Sequence, residues 1–288
     1  MKVSAWLWIL AVLLTLFSAA WQRTTGPTYK LSGKAELGGA EFSYVLHRTH
    51  AGPGDHTVRL AGLPEDFAGV VEWKPRGSND PWTVVPMARE GDALTAALPH
   101  QPPAGRLWYR VRLERGPGSL LLPPERPAAI RFRGDVPAAV LVPHIVLMFL
   151  AMLLSMRAGF EAFRAAPRTK ALAWWTVATM LVGGIVIGVF VTNHAFGEWW
   201  TGWPVGDDLT DTKTLVAFLF WLAAALVPAR RWPGRAAVVL AAVVTLVIFL
   251  IPHSWAGGEP SHAELDAGTP AIASVDSART PAPDTTAP

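Results

Sequence analysis

Hydrophobic and polar positions follow two different patterns along this chain. Five uncharged runs approach the roughly 20 residues that an α-helix needs to cross a hydrocarbon core. These runs cover residues 3–22, 136–156, 171–192, 214–229 and 236–255. They predict four or five transmembrane helices. The first run is either a retained anchor or a cleaved signal peptide, because a lone Lys2, an apolar stretch and small residues before Trp21 fit both.

Between residues 29 and 133 the pattern changes to short alternating runs broken by Gly, Pro, Asn and Asp. Eight runs predict β-strands, beginning at residues 41, 56, 69, 82, 93, 107, 119 and 128. Residues 74–81 predict a hairpin turn between two of them. The spacing of the runs predicts an antiparallel β-sandwich of about 100 residues.

One of these strands has an apolar face and a mainly basic face. Leu107, Tyr109, Val111 and Leu113 alternate with a second set of residues, which are Arg106, Trp108, Arg110 and Arg112. The strand resembles the tyrosine-bearing sixth strand of immunoglobulin-like and fibronectin type III modules. The resemblance implies a sandwich of that type.

The two patterns predict four domains. They are a signal anchor or signal peptide at residues 1–22, a β-sandwich at 23–135, a four-helix membrane bundle at 136–256 and a disordered tail at 257–288. The tail has no aromatic residue and is dense in Pro, Ala, Thr, Ser and Asp, so it has too little apolar surface to offset chain entropy.

Basic residues predict the orientation in the membrane. The connection with Arg157, Arg164, Arg168 and Lys170 and the connection at residues 230–235 are both expected to be cytoplasmic. The sandwich, the connection near residue 200 and the tail then face the extracytoplasmic side of a bacterial inner membrane.

Composition supports a membrane protein and excludes several functions. Of 288 residues, 51% are hydrophobic, 16% are charged and 14 are tryptophan, a residue that favours the membrane interface. The absence of cysteine excludes disulfides, thiolate metal sites and cysteine catalysis. A net charge of +3, with no basic stripe beside stacking aromatics, argues against nucleic acid. Transport is not favoured, because His144 is the single ionisable residue within the predicted spans.

Three histidines are expected to share the outer end of the bundle. His144, His194 and His253 fall at similar depth, and imidazole is a ligand of haem iron, copper and zinc. His144 is followed by Met148, Met152 and Met156 at steps of four, which fits either copper(I) or ordinary core packing. Packing is the preferred interpretation of the methionines.

The connection after the third span carries the most distinctive motif. Phe196 to Thr214 reads FGEWWTGWPVGDDLTDTKT, with Trp199, Trp200 and Trp203 as an expected interfacial belt. The remaining motif residues shape turns or cap the next helix, and they are Gly197, Thr201, Gly202, Pro204, Gly206, Asp208, Thr210, Asp211 and Lys213.

This stretch resembles an F-G-x-x-W-T-G-x-P-x-G-x-D-L-T-D-x-K-T signature of uncharacterised multipass bacterial membrane proteins. It is also loosely similar to the tryptophan-rich external loop of cytochrome c assembly proteins, although the W-x-W-D run of those proteins is absent. The second resemblance implies that the three tryptophans form a haem platform, with His194 and His253 as flanking ligands.

Two further patterns have mainly structural interpretations. Gly184 and Gly188 form a G-x-x-x-G pair that lets helices approach closely. His47, His50 and His56, near Glu41 and Asp55, could approach one another as a zinc site, but their spacing matches no zinc motif. The sequence also lacks G-x-S-x-G and H-E-x-x-H motifs, so an enzyme is not expected.

Two functions remain. The first is an accessory or assembly factor of a membrane complex, whose extracytoplasmic sandwich binds a membrane or extracytoplasmic protein. The alternative is a redox, haem-handling or copper-handling protein, whose cofactor is held by His144, His194 and His253 beside Trp199, Trp200 and Trp203. We favour the first, because each notable residue has a structural role without a cofactor.

Overall fold

The computed structural model describes residues 2–164, 168–228 and 232–252. His253 and the predicted disordered tail lie outside these residues. The helical part consists of α1 (Lys2–Thr25), α2 (Ala138–Phe163), α3 (Thr169–Thr179), a π-helical segment (Met180–Ile187), α4 (Gly188–Phe196), α5 (Leu209–Leu226) and α6 (Trp232–Leu250). The third predicted span therefore contains three consecutive segments of one continuous helix.

Within the described residues, five helices are long and apolar enough to cross a membrane, as the hydrophobic runs predict. Their outward faces expose large apolar side chains, such as Leu13 at 58%, Val146 at 58% and Trp175 at 66%. Their inward faces bury small residues, including Ala11, Ala151 and Ala241. A bundle with this inverted distribution requires an apolar surrounding, because water would not tolerate so much contiguous apolar surface.

The second span is longer than predicted and buries two charges. Arg157 and Glu161 are 2% and 3% exposed, and the Arg157 guanidinium contacts the Glu161 carboxylate one helical turn away. Arg157 also donates to Ser4 Oγ at 3.2 Å and lies 5.3 Å from the centre of the Trp8 ring. The expectation that His144 is the single ionisable residue in the spans is therefore wrong, because an i, i+4 ion pair lets both charges stay inside the bundle.

The β-domain contains eleven strands in the part of the chain described. Their bounds are β1 (Leu31–Leu37), β2 (Ala40–Leu46), β3 (Thr49–Ala51), β4 (His56–Leu60), β5 (Ala68–Pro75), β6 (Thr83–Pro86), β7 (Ala88–Glu90), β8 (Ala93–Leu98), β9 (Arg106–Arg115), β10 (Gly118–Leu122) and β11 (Ala128–Arg133). All eight predicted runs contain a strand, whereas the prediction missed β1, the separate short β3 and β7.

Three sheets share one core. β1 and β2 form a hairpin, β4, β8 and β7 form a three-stranded sheet, and β3, β11, β9, β5 and β6 line up in a larger sheet in which β10 also pairs with β9. Buried residues from all three sheets belong to a single cluster, among them Phe42, Val58 and Val71. The pairing is antiparallel except between β3 and β11, which run parallel.

Strand β9 is the centre of the larger sheet and has the predicted two faces. Leu107, Tyr109, Val111 and Leu113 are all 0% exposed, while the residues between them lie on the outer face. The predicted hairpin turn is also confirmed, because β5 and β6 pair antiparallel with Trp73 opposite Thr83.

The β-domain packs on one end of the helix bundle, called here the β-domain end. The Gly134 amide, just after β11, donates to the Ala195 carbonyl at 2.9 Å. The Arg131 guanidinium lies 4.2 Å from the centre of the Phe196 ring. Because Ala195 and Phe196 end α4, the domain and the tryptophan-rich connection that follows α4 lie at the same end of the bundle.

The β-domain histidines lie together around His56. The Nδ1 atoms of His56 and His50 are 3.3 Å apart, and the rings of His47 and His56 are 5.7 Å apart. Asp55 instead accepts from the His100 amide at 2.8 Å. Burial, followed by the neighbouring His50 and His47, lowers the His56 pKa to about 4 from its ordinary value of 6.5.

This shift predicts that the β-domain loses stability in mild acid. Below pH 6.5 the unfolded chain protonates His56, whereas the folded chain keeps it neutral until pH approaches about 4. His56 therefore leaves the free energy of unfolding of the β-domain unchanged above pH 6.5. It lowers that free energy as the pH falls from 6.5 to about 4, and below this range its effect is constant. Thermal unfolding of the full chain between pH 7.5 and 4 measures this.

His56→Gln should flatten that part of the stability profile, and His194→Gln, at an exposed site, should leave the profile of the natural chain unchanged. Equal slopes for the natural chain and His56→Gln would contradict the assignment.

Candidate functional site

Helix α4 ends in a left-handed glycine that redirects the chain. Gly197 has φ 81°, a conformation that costs glycine little, and its amide donates to the Asn193 carbonyl at 2.8 Å. The chain then leaves the helix axis and forms a loop of residues 197–208, called here the aromatic loop. Its position is thus set at the β-domain end of the bundle.

The aromatic loop folds back onto the first turn of α5. Asp208 caps the helix, because its carboxylate accepts from the Thr210 amide at 2.6 Å. The Thr212 hydroxyl donates to the Asp208 carbonyl at 2.8 Å and accepts from the Trp203 amide at 2.9 Å. The capping role predicted for this part of the motif is confirmed.

Asp211 connects three segments. One carboxylate oxygen accepts from the Thr201 amide at 3.0 Å and from its hydroxyl at 2.8 Å, and the other accepts from the Thr192 hydroxyl of α4 at 3.4 Å. Gly202 lies so close to α5 that a Cβ atom there would be 2.6 Å from the Thr212 amide nitrogen. The spacing of acids, threonines and glycines in the motif therefore specifies a tightly closed loop.

The three loop tryptophans occupy different environments. Trp199 is 57% exposed and packs edge-on against Phe190, and Trp203 is 63% exposed beside a cis peptide bond to Pro204. The Trp200 indole nitrogen donates to the Trp203 carbonyl at 3.2 Å. No two of these three described rings stack on one another, so they do not form a flat platform in this structure.

Beneath the loop, the helices enclose a cavity of about 490 Å³. One wall is polar and contains five of the motif residues: Thr201, Asp208, Thr210, Asp211 and Lys213. Deeper walls are apolar and include Met148 and Met152 of α2 and Ile248 and Phe249 of α6. The cavity lies within the range of about 300–1,000 Å³ typical of small-molecule sites.

The shape of the cavity follows from how α2 and α6 diverge. Towards the far end of the bundle they touch closely, since a Cβ atom at Gly159 would lie 2.8 Å from Ala242 Cβ. Towards the β-domain end the cavity lies between them, with Met148 on one wall and Phe249 on another. The two helices thus form a wedge that opens at the β-domain end.

His144 lines the cavity and contacts the π-helical segment. Its Nδ1 lies 2.8 Å from the Gly183 carbonyl and must carry the hydrogen, because a carbonyl only accepts. π-helical turns often mark functional sites, since they release carbonyls from the regular ladder. His144 therefore presents its Nε2 as the remaining ring nitrogen.

Lys213 is buried, at 5% exposure, and is engaged with the end of α6. Its ammonium donates to the Ile251 carbonyl at 2.7 Å. Gln22 of α1 donates to the same carbonyl at 3.0 Å. Lys213, which the sequence analysis placed among the loop-motif residues, therefore joins α5 to the end of α6 at the cavity, where Gln22 of α1 binds the same carbonyl.

The histidines proposed as ligands are not assembled in the described chain. His144 lines the cavity, His194 is exposed at the end of α4 outside it, and His253 lies beyond the described residues. Within residues 2–164, 168–228 and 232–252, no group of three or more His, Asp or Glu side chains is arranged to hold a metal. The haem or copper hypothesis for these residues stays a prediction.

The glycine and methionine patterns are packing features. A Cβ atom at Gly184 would lie 2.8 Å from Thr214 Cγ2 and 3.2 Å from Met148 Sδ, and Gly188 packs on the His144 ring. Met152 and Met156 are 1% and 4% exposed in the bundle core. The preferred packing interpretation of both patterns is confirmed, while Met148 also faces the cavity.

No sequence pattern indicated several other residues of the cavity. Arg23 ends α1 and Arg133 ends β11, more than a hundred residues apart in sequence, yet both line the same cavity. Their basic character alone is too common to mark a site. Thr192 was also missed; it lies in α4, and its hydroxyl donates to the Asp211 carboxylate at 3.4 Å.

Comparisons with protein-family models, curated proteins and solved structures gave no match to this chain.

Removing the Asp211 carboxylate should release the aromatic loop. Asp211→Ala leaves the Thr201 amide and hydroxyl without their acceptor, which should cost about 1–3 kcal/mol of loop stability. Hydrogen exchange of residues 197–208, followed by mass spectrometry on the full chain, should accelerate by at least about fivefold for a loss above 1 kcal/mol. Asp207→Ala, at an exposed neighbour, is the control, and equal protection in both variants would refute the anchoring role.

Proposed function

We propose that this chain is a multipass protein of the bacterial inner membrane, an accessory or assembly factor whose β-domain binds another protein on the extracytoplasmic side. The basic residues Arg164, Arg168 and Lys170, which lie at the end of the bundle opposite the β-domain, support this orientation through the positive-inside rule. The tryptophans of the aromatic loop support an interfacial position for the opposite end.

The proposal takes α1 as a retained membrane anchor. Ala11 and Ser18 of α1 are both 0% exposed because they face the rest of the bundle. Gln22 donates to the Ile251 carbonyl at 3.0 Å, and Arg157 donates to Ser4 Oγ at 3.2 Å. Cleavage after the first helix would remove these contacts and expose the buried Arg157, so retention is favoured.

The β-domain is proposed to be a sandwich of the immunoglobulin or fibronectin type III kind. The shared core and the two-faced β9 support this. Tyr109 differs from the tyrosine corner of such modules, since its hydroxyl donates at 2.6 Å to the carbonyl of His47, which is 62 positions away. The corner bond normally stays within a few residues, so the likeness concerns the layers and the alternation.

The main support for a binding function is a surface on the outer side of β5 and β9, called here the basic-aromatic face. It is formed by Lys74, Arg76, Trp82, Trp108, Arg110 and Arg112. The Arg110 guanidinium lies 4.4 Å from the Trp82 ring centre and that of Arg76 lies 5.1 Å from the Trp108 ring centre. Such stacking holds long cationic side chains in fixed positions.

A buried carboxylate fixes the same face from below. Glu72 is 2% exposed and accepts from Arg110 Nε at 2.5 Å and from the Arg112 guanidinium. Ordered arginines and tryptophans are the residues that dominate binding energy at protein interfaces, because little side-chain entropy is lost when they bind. The cations select an acidic segment on the partner.

Removing the indole rings of Trp82 and Trp108 should strongly reduce binding of the partner protein. A photoreactive amino acid at Val84, which is 55% exposed on the neighbouring β6, should crosslink an acidic segment of one defined membrane or extracytoplasmic protein in cells. Trp82→Ala with Trp108→Ala should lower that crosslinking at least about tenfold, since paired interface anchors contribute about 2 kcal/mol or more.

The matched control removes two tryptophans elsewhere. Trp199→Ala with Trp203→Ala changes the aromatic loop and should leave the crosslink unchanged. Undiminished crosslinking in the β-domain variant, or equal loss in both variants, would overturn the proposal. Raised salt should also weaken the crosslink, because charge complementarity is screened.

A further inference from the structure

We propose that the cavity at the β-domain end binds one anionic lipid, with its phosphorylated headgroup at Arg23 and Arg133 and its hydrocarbon chain between α2 and α6. This site is separate from the basic-aromatic face of the β-domain and does not rest on the function proposed for that face. Three features of the cavity support it: an apolar interior, a route to the lipid-facing surface and cations at its polar end.

The interior suits a hydrocarbon chain. Met148, Met152, Ile248 and Phe249 line the deep part. Apolar walls of this kind favour an apolar occupant over water. A small polar solute alone would leave these walls uncovered.

The cavity reaches the outer surface of the bundle. Ile145 and Phe149 line it and are also 43% and 42% exposed on the apolar exterior of α2. A lipid in the surrounding bilayer can therefore enter sideways without its chain crossing water. Ala19 of α1 lines the same cavity and lies on the helix that borders α2.

The polar end offers cations that the protein itself does not use. In the described part of the chain, the side chains of Arg23 and Arg133 have no ion pair or hydrogen bond. By contrast, Asp208 and Asp211 are bound within the aromatic loop, and Lys213 donates to the Ile251 carbonyl. The two arginines are thus the groups available to an anion, and a guanidinium binds phosphate in bidentate fashion.

A second cavity of about 600 Å³ adjoins this end and shares Gln22 and Arg23 with the first. Its lining is mainly polar and includes Lys30 and His47. Together the two cavities form an amphipathic pair, apolar between the helices and polar beneath the β-domain. A headgroup lying at Arg23 would extend into the second cavity while its chain occupies the first.

The test uses the full chain reconstituted in nanodiscs with a lipid that carries a photoreactive diazirine in its acyl chain. Phosphatidylglycerol is the anionic probe, and phosphatidylcholine with identical chains is the zwitterionic comparison. In the natural chain, crosslinked peptides should contain Met148, Met152 or Ile248. If crosslinks in the natural chain were confined to the outward residues Val142, Val146 and Val243, this result alone would overturn the proposal.

Two matched pairs of variants test the two halves of the site. Ala19→Phe fills the cavity and should remove the internal crosslink of both lipids, whereas Ala20→Phe, exposed on the next position, should not. Arg23→Gln with Arg133→Gln should lower the internal crosslink of the anionic lipid at least about tenfold and spare the zwitterionic one. Arg126→Gln, at an exposed arginine of the β-domain, is its control.

Competition identifies the source of the anion. Excess inorganic phosphate should leave the crosslink in place, because it cannot occupy the apolar walls. Displacement by phosphate, or an equal crosslink of both lipids that the arginine variants leave unchanged, would contradict binding of an anionic lipid. Size-exclusion and thermal-unfolding profiles confirm that each variant is folded.

Discussion

The bundle depends on the exclusion of water from its outer surface. Its helices expose Leu13, Val146 and Trp175 and bury alanines, so apolar burial in water cannot hold them together. Close approach and a few internal polar contacts do this work instead. Trp221 of α5, fully buried, donates from its indole nitrogen to the Thr245 hydroxyl of α6 at 2.8 Å, and Arg157 of α2 donates to Ser4 Oγ of α1 at 3.2 Å. Each such contact is strong because no water competes for it.

Small-residue packing also explains why a cavity exists. Gly159 and Ala242 bring α2 and α6 together at one end, and towards the other end Met148 of α2 and Phe249 of α6 line the cavity. The D-L-T-D-x-K-T stretch lies at the open end, where the Asp208 and Asp211 carboxylates accept hydrogen bonds from Thr210 and Thr201. The β-domain rests beside this closure through Gly134 and Arg131.

Sequence periodicity predicted the elements well because burial imposes it directly. In β9, apolar side chains must alternate to enter a core, and the helical runs must be long enough to match a bilayer. Sequence periodicity failed to predict the bounds of elements where a polar group binds a partner distant in sequence or elsewhere on the same helix. Arg157 and Glu161 looked like a helix boundary, although their pairing lets α2 continue to Phe163. Strand β3 was merged with β2, because its parallel partner β11 is 82 residues further along, with Arg131 opposite Thr49.

The candidate site was predictable only in part. The motif marked Asp208, Asp211 and Lys213, and the capping role of Asp208 follows from local spacing. The sequence analysis grouped His144 with His194 because both lie at a similar depth along their helices. Depth does not determine the direction in which a side chain points around the helix axis. Of these two histidines, only His144 lines the cavity. The meeting of Arg23 and Arg133 depends on how the β-domain packs on the bundle, which no local pattern encodes.

The most direct test is the accessibility of single cysteines, since the chain has none of its own. Val205→Cys in the aromatic loop, Glu125→Cys in the β-domain and Lys170→Cys at the opposite end would each be labelled with a membrane-impermeant thiol reagent in intact spheroplasts. Residues 205 and 125 should react, and residue 170 should react only after the membrane is permeabilised. Labelling of residues 205 and 125 from opposite sides, or of all three without permeabilisation, would contradict a membrane-spanning bundle with the loop and β-domain on one face.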